Sequence, residues 1–423
     1  MNVVAQTNRA RGRTQMPIAP DFSRQAFCIQ GLLCDVVTIE RAKQQLVTSI
    51  RDSRRCNVVT PNANFLRLIR SDPDFRDALL TSDLSVIDGM PLVWLARVLG
   101  IAVSDRVCGS DLFANLMVDA SQRLSAFFFG ATDEVAQRVQ ERLEESASSV
   151  QCAGCFSPGF GPVEAMSHPD ILDIINRADP DLLVVSIGAR KGLLWLDRNE
   201  RLLSPPVICN LGATINFVAG SVRRAPDFLR RHGLEWLWRI KEEPTLWKRY
   251  ALDLRTLISV LICQVVPSCL DRALHRPSMS QLSAAHLRHY QRGADQVLEF
   301  YGAWTRDNLA PVRAAFTAAT RVESDLFIDL DRITYVDGAF LGQLLLAYGH
   351  QRRLHRSFVL RASERRARKL LHLHGCGYLL LAGQEGNAGL PTASTALGGS
   401  QAEGANDRVP QHIVSQFCRG LPC

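Results

Sequence analysis

A hydroxyl, an amide, a carboxylate and a guanidinium, carried by Thr60, Asn62, Asp88 and Arg106, lie where short apolar runs give way to new segments of this sequence. VVTPNANFL, LSVIDGMPLVWL and DRVCGSDLF read as strands or turns leading into helices, and the loops after strands are where open α/β sheets bind ligands. A carboxylate so placed can accept a proton, and a guanidinium can neutralise an anion. Structural roles compete with each of these. Asp88 is also suited to capping the helix GMPLVWLARVLG, Thr60 and Asn62 to capping FLRLIR, and Arg106 to pairing with Asp105 or Asp111.

The elements that must hold these residues alternate regularly. VVT, LSVID, SAFFFG, VQCAGCF, DLLVVSIG and PVICNLG are apolar runs rich in Val, Ile and Phe, separated by helical periods such as DEVAQRVQERLEES and PDILDIINRAD. The pattern predicts an α/β fold: a Rossmann-like, mostly parallel sheet with helices on both faces. A helical stretch from Leu229 to Leu270 then leads to Pro277 and a polar linker, and a second βαβ pattern follows in LFIDLDRITYVD, FLGQLLLAYGHQRR, FVLRA and SERRARKLLHLHGC. At 423 residues the chain exceeds the roughly 250 to 300 that one core usually serves. Two folded units with tails are expected.

The composition, 47% hydrophobic and 22% charged, is that of a soluble globular chain, but its net charge of +7 is uneven. Residues 221–276 hold eleven Lys or Arg against six Asp or Glu, so +5 of the charge sits there. An anionic partner is implied. No nucleic-acid module accompanies the basic stretch, so nucleic acid is not the expected partner. Twelve cysteines and a start, MNVVAQTNRARGRTQM, without a signal peptide point to the reducing cytoplasm. The CxxC at Cys152 and Cys155 lacks a second pair, and His372 and His374 are poorly spaced ligands, so no metal is expected. Three short DxD patterns, Asp72-Pro-Asp74, Asp179-Pro-Asp181 and Asp329-Leu-Asp331, read as structural.

TPNANFL at 60–66, DLSVIDGMP at 83–91, RVCGSDL at 106–112, FFFGATDEV at 127–135 and VAGSVRRAPDFLRRHGLEWLWRIKEEP at 218–244 together resemble the WecG/TagA/CpsF glycosyltransferases, family 26, across about residues 30–250. Residues 324–383 more loosely resemble a STAS domain, chiefly through YVDGAFLG and its following helix. The resemblances imply a transferase domain of the GT-E type at 26–250, a basic and apolar membrane-associating segment and linker at 251–285, and a smaller α/β STAS-like domain at 286–383. Residues 1–25 and the Gly-, Ala- and Ser-rich 384–423 read as disordered tails.

The family implies inverting transfer from a UDP-sugar to a saccharide on a polyprenyl pyrophosphate, in exopolysaccharide or cell-envelope glycan assembly, with no cofactor. Asp88 matches its proposed base, Arg106 its functionally important arginine, and Thr60 and Asn62 a pair lining the donor and acceptor pocket. Helix starts after Gly130 and Gly188 can receive phosphate through free amides. The chain departs from the family where many members carry Gly-x-Pro-Lys-Gln-Glu: here Gly188, Ala189, Arg190, Lys191 and Gly192 follow one another. In the segment from Gly212 to Phe217, Asn216 replaces a common acid. These positions are expected to face the donor, which leaves its identity open.

Arg224, Arg231, Trp236, Arg239, Lys248 and Arg249 suit a membrane interface and an anionic acceptor. The uncharged run Thr256 to Leu270 is fifteen residues, short of the roughly 20 a bilayer core needs, and Pro267 is expected to break the helix. Peripheral attachment to the inner membrane face follows. The STAS-like turn Asp337-Gly338-Ala339 has no hydroxyl to phosphorylate, so its surface suits a protein partner and Asp337 suits a helix cap. The rival to an active transferase is a non-catalytic protein sensing nucleotide sugar or lipid through that domain. A dinucleotide oxidoreductase is set aside, because no strand leads into G-x-G-x-x-G.

Overall fold

The computed structural model describes residues 20–380 apart from 120, 131, 147, 213, 222–224, 227, 230 and 231. Both expected tails therefore lie largely outside the described residues. The part of the first that is described is ordered: Phe22 is buried and stacks on Phe316 at 5.4 Å, and Arg24 pairs with Asp35 at 2.6 Å.

Strands β1 (Ala26–Ile29) and β2 (Leu32–Asp35) form an antiparallel hairpin. All six apolar runs then become strands: β3 (Cys56–Val59), β4 (Leu84–Ser85), β5 (Leu124–Phe129), β6 (Val150–Phe156), β7 (Leu182–Val185) and β8 (Val207–Asn210). They pair in the order β4-β3-β8-β7-β5-β6, every pairing parallel. Alternate side chains of one run serve opposite faces. Leu182 and Val184 enter one core cluster, whereas Leu183 and Val185 enter another with Trp195. Burial on both faces is why these runs read as continuous Val, Leu, Ile and Phe. The register aligns Ser85, Val59, Asn210, Val185 and Phe129, so the carboxyl ends of five strands are flush and the loops after them share one edge.

The second sheet has the order β12-β11-β10-β9, built from β9 (His286–Arg292), β10 (Asp295–Trp304), β11 (Leu326–Val336) and β12 (Phe358–Arg361), with only β9 antiparallel. Its central helix, Gly338–Arg353, is buried from Gly338 to Gln351. An amphipathic surface helix would show one apolar stripe. This one has none, because the second sheet covers one side and the first unit covers the other. Gly338, Gly342 and Gly349 let the backbone carbonyls of Cys28, Ala26 and Leu80 come so close that a Cβ would collide with each. Around this contact Arg353 pairs with Asp83 at 2.9 Å and Glu200 at 3.3 Å, and the Tyr348 hydroxyl donates to Asp77 at 2.9 Å. Ile29 and Leu33 share one hydrophobic cluster with Phe340 and Leu344. Part of the STAS-like surface, this helix, is thus covered within the chain.

Pro267 does not break the helix it sits in. Trp247–Val260 runs through a π-helical turn at Leu261–Val265 into Val266–His275. A wider turn just before proline relieves the clash of its ring with the preceding carbonyls and absorbs the lost N–H bond. Nor is 251–275 a free linker. Asp253 accepts from Arg67 at 2.9 Å, Ser268 donates to the Leu373 carbonyl at 2.9 Å, and Asp271 accepts from Arg366 at 2.6 Å, so the helix is fastened to both units.

Candidate active site

The residues singled out first in the sequence converge at the flush carboxyl edge. Thr60 follows β3, and Asp88 follows β4 after a bridge between Val86 and Asp35. The Asp88 amide donates to the Pro61 carbonyl at 2.8 Å, and the Val107 amide to the Ile87 carbonyl at 2.9 Å, which draws all three loops together. Gly109 lies against Thr60 and Leu211; a Cβ there would stand 3.3 Å from Thr60 Cγ2. Thr60 itself is buried.

Asp88 is not a helix cap. The helix Met90–Val98 is capped by Gly89 at φ 102, with no side-chain hydrogen bond to its first turn. That left-handed backbone favours glycine and turns the preceding residue away from the helix amides. Asp88 is half-buried, and the Cys108 thiol donates to it. Burial pushes its carboxyl up to about 7 against the pull of Arg106, with Glu235 and Asp111 adding to the rise. A carboxylate of this basicity is poised to take a proton near neutral pH.

Arg106 stands beside it, largely buried. It donates to Glu235 at 2.5 Å and lies 3.7 Å from Asp111. The Asp111 contact is the pairing foreseen as the alternative. Glu235 was not foreseen: it is 129 residues away in sequence, and its only sequence signal was its place in the run from 218 to 244. Asn62 does cap Ala63–Ser71, its side-chain oxygen accepting from the Asn64 amide at 3.0 Å.

Gly130 and Gly188 follow β5 and β7, and Gly212 follows β8. Gly188, at φ 90, begins the helix Ala189–Asn199 without a side-chain cap. The helix Asp133–Glu145 likewise begins at Thr132 without one. Arg190 turns to Asp72, the cap of Pro73–Leu80, and Lys191 donates to the Gly161 carbonyl at 3.0 Å. Asn216 lies half-buried on Thr214–Val218. A cavity of about 540 Å³ opens between that helix, Gly109–Met117 and Asp133–Glu145, with Ser110, Thr214 and Phe217 in its lining.

Of the basic set, Arg224 and Arg231 lie outside the described residues. Lys248 and Arg249 are exposed, over Trp247 at 6.0 Å and Tyr250 at 4.8 Å, and Trp236 is 40% exposed. Arg239 differs from them. It folds inward over the Phe217 ring at 5.3 Å and lies 3.8 Å from Glu243, and its buried Nη1 has no hydrogen-bond partner among the described residues. The three DxD patterns have structural roles: Asp72 caps a helix, Asp181 accepts from the Ser125 amide at 2.8 Å at the far edge of the sheet, and Asp331 accepts from Ser363 and Glu364 amides. Cys152 and Cys155 lie on the outermost strand, β6.

Comparison with known proteins agrees with this geometry. Residues 27–268 match the family model described as glycosyl transferase WecG/TagA/CpsF, and residues 287–381 match that described as Mlab, STAS domain. An N-acetylglucosaminyldiphosphoundecaprenol N-acetyl-β-D-mannosaminyltransferase of Bacillus spizizenii is 27% identical over 203 residues, 48% of this chain and 77% of that protein. One of the same description from Bacillus subtilis is 27% identical over 194 residues, 46% of this chain and 73% of that protein. With more than half its length matched by the family model, the chain belongs to the WecG/TagA/CpsF family of glycosyltransferases and carries a STAS-like domain after it.

Proposed function

We propose that this chain is an inverting hexosyltransferase that moves a sugar from a UDP-sugar to a saccharide held on a polyprenyl pyrophosphate, in exopolysaccharide or cell-envelope glycan assembly. One observation carries the reading: the Asp88 carboxyl, left out of the helix cap and raised to about 7, stands beside the Arg106 guanidinium at the ligand edge of the sheet. In a single displacement the acceptor oxygen forms its bond to the anomeric carbon as the bond to UDP breaks. Asp88 takes the acceptor hydroxyl proton, and Arg106 neutralises the departing diphosphate. Glu235 holds Arg106 before a donor arrives, and a diphosphate competes for that guanidinium. Arg239, inward-facing with an Nη1 that is unpartnered among the described residues, is a second cation for the same charge. Thr60, Asn62 and the uncapped amides after Gly188 line the remaining edge.

The acceptor of the Bacillus relatives is lipid-linked, and the long helix supplies a means of reaching such a molecule. Leu254, Ile258, Ile262, Val266, Leu270 and Leu274, four residues apart along it, are each 47–78% exposed. Pro244–His275 is 32 residues and apolar enough to cross a bilayer by length and composition, but its inner face is fastened to both folded units. In-plane, peripheral attachment at the inner membrane face fits that arrangement.

Asp88→Asn tests the reading. Incubated with UDP-sugars and membranes holding short lipid-linked saccharides, it is expected to lose transfer while keeping UDP affinity. Unchanged turnover would remove Asp88 as the base. UDP binding by the unaltered chain without turnover on any acceptor would favour the non-catalytic rival.

A further inference from the structure

Two pairs of thiols approach one another closely among the described residues, and they differ in what can reach them. Cys28 and Cys376 stand 3.3 Å apart, sulfur to sulfur, with neither exposed to solvent. The hydrogen bond to Cys28, together with burial, holds the Cys376 thiol well above its ordinary range, and a thiol of that kind is inert. Cys152 and Cys155 stand 3.7 Å apart on β6, the outermost strand of the first sheet, and both are only half-buried.

Residues three apart on a regular strand point to opposite faces. A bulge brings these two to one face: Ala126 of β5 pairs with Cys152 and Phe127 with Gly154, which leaves Ala153 without a partner across the ladder. Val150, Cys152 and Cys155 then pack against one core cluster, while Phe156 joins the cluster on the other side of the sheet. Gly154 is required beside the bulge, because a Cβ there would stand 2.8 Å from the Phe127 ring. The two thiols are unlike. The Cys155 thiol and the Gly154 amide donate to the Cys152 sulfur and bring its thiol down to about 7, whereas the same contact pushes Cys155 up. One sulfur is thus an attacking thiolate near neutral pH, and the other is held next to it.

We propose that Cys152 and Cys155 form a dithiol site that exchanges with low-molecular-weight disulfides of the glutathione type. The Cys152 thiolate attacks one sulfur of the disulfide, forms a mixed disulfide and expels a thiolate, which takes up a proton. Cys155 then loses its proton as it attacks the Cys152 sulfur and expels the second thiolate, closing an intramolecular bond. The protein yields two electrons and two protons, and the reagent is reduced to two thiols. Bond formation needs the sulfurs to close from 3.7 Å to about 2 Å. The pair lies at the opposite end of the sheet from β4, the strand that Asp88 follows, so its chemistry is separate from sugar transfer.

The test is exposure of the reduced full chain to oxidised glutathione at pH 7, followed by acid quenching and peptide mass mapping of each thiol. At that pH about half of Cys152 is ionised, against roughly 3% of an ordinary thiol. The lower nucleophilicity of the weaker base offsets part of this advantage and leaves about threefold. A disulfide between Cys152 and Cys155 is therefore expected before the exposed Cys263 is modified. Cys155→Ser should stop at a mixed disulfide on Cys152, formed about threefold faster than that on Cys263, and Cys152→Ser should lose the fast reaction altogether. Equal rates at Cys152 and Cys263, or a fast reaction that survives in Cys152→Ser, would overturn the proposal. So would modification of Cys28 and Cys376 in step with the pair, because it would show that the reagent enters by unfolding.

Discussion

The same dipeptide stands at a strand end before a helix in each half of the molecule, Asp88-Gly89 and Asp337-Gly338, and the two acids do opposite things. Asp337 is itself the cap of Gly338–Arg353. Its carboxylate receives the amides of Ala339, Phe340 and Arg306, so every oxygen is engaged by the backbone. Asp88 stands one residue further from its helix, because Gly89 takes the cap position in a left-handed conformation. Burial raises both carboxyls, but the groups opposing the rise are backbone amides at Asp337 and the Arg106 side chain at Asp88. A one-residue shift in where the helix begins separates an acid bound by the helix amides from one those amides leave out.

Exchanging these acids should therefore damage different properties. The largest effect is expected for Asp88→Asn on transfer, a loss of about 10² to 10⁴ for a general base, with the fold intact. Its stability should move the other way. A carboxyl raised to about 7 in the folded chain, against about 4 unfolded, retains a proton that the unfolded chain releases. Ionising it weakens the fold as pH rises from about 4 to about 7. The Tm of Asp88→Asn at pH 8 should equal or exceed that of the unaltered chain; a clear fall would mean that Asp88 is structural like its counterpart.

Asp337→Ala should lower unfolding stability by about 2–3 kcal/mol, through a lost cap and an unmet buried amide, with turnover per folded molecule retained. Denaturant titration beside active-site-normalised turnover checks it. Gly349→Ala, on the helix that Asp337 caps, should cost about 1–3 kcal/mol by pressing a methyl into the Leu80 carbonyl. A neutral result there would mean that the two halves are not tightly docked. The smallest effect is expected at a third strand-to-helix junction. Arg190→Ala breaks an exposed pair with Asp72, worth about 0–1 kcal/mol, and should change donor KM by no more than a few-fold.

The sequence made the first sheet readable because its strands are buried on both faces and leave unbroken apolar runs. It concealed the β1–β2 hairpin, although Gln30 and Gly31, both at positive φ, sit between AFCI and LLCD and form a two-residue turn. β9 escaped for the opposite reason. HLRHYQR is almost wholly exposed, so no hydrophobic alternation marks it. Thr60 and Asp88 were visible because each lies just past a strand, whereas Arg106, read as following one, sits in the loop between the helices Met90–Val98 and Gly109–Met117. Their long-range partners were not: nothing local couples Arg106 to Glu235, or turns Arg239 inward while Lys248 and Arg249 face out. Pro267 misled because a proline is read from its own ring, whereas the turn that accommodates it lies one step earlier. The docking of the STAS-like domain was written in Gly338, Gly342 and Gly349, but spacing alone does not say what approaches them.

The pH dependence of kcat/KM for sugar transfer tests the central claim most directly. If Asp88 is the base, activity falls on the acid side with a single ionisation at about 7, and the residual activity of Asp88→Asn lacks that limb. A limb at about 4, the range of an ordinary carboxylate, or one unchanged in Asp88→Asn, would contradict it.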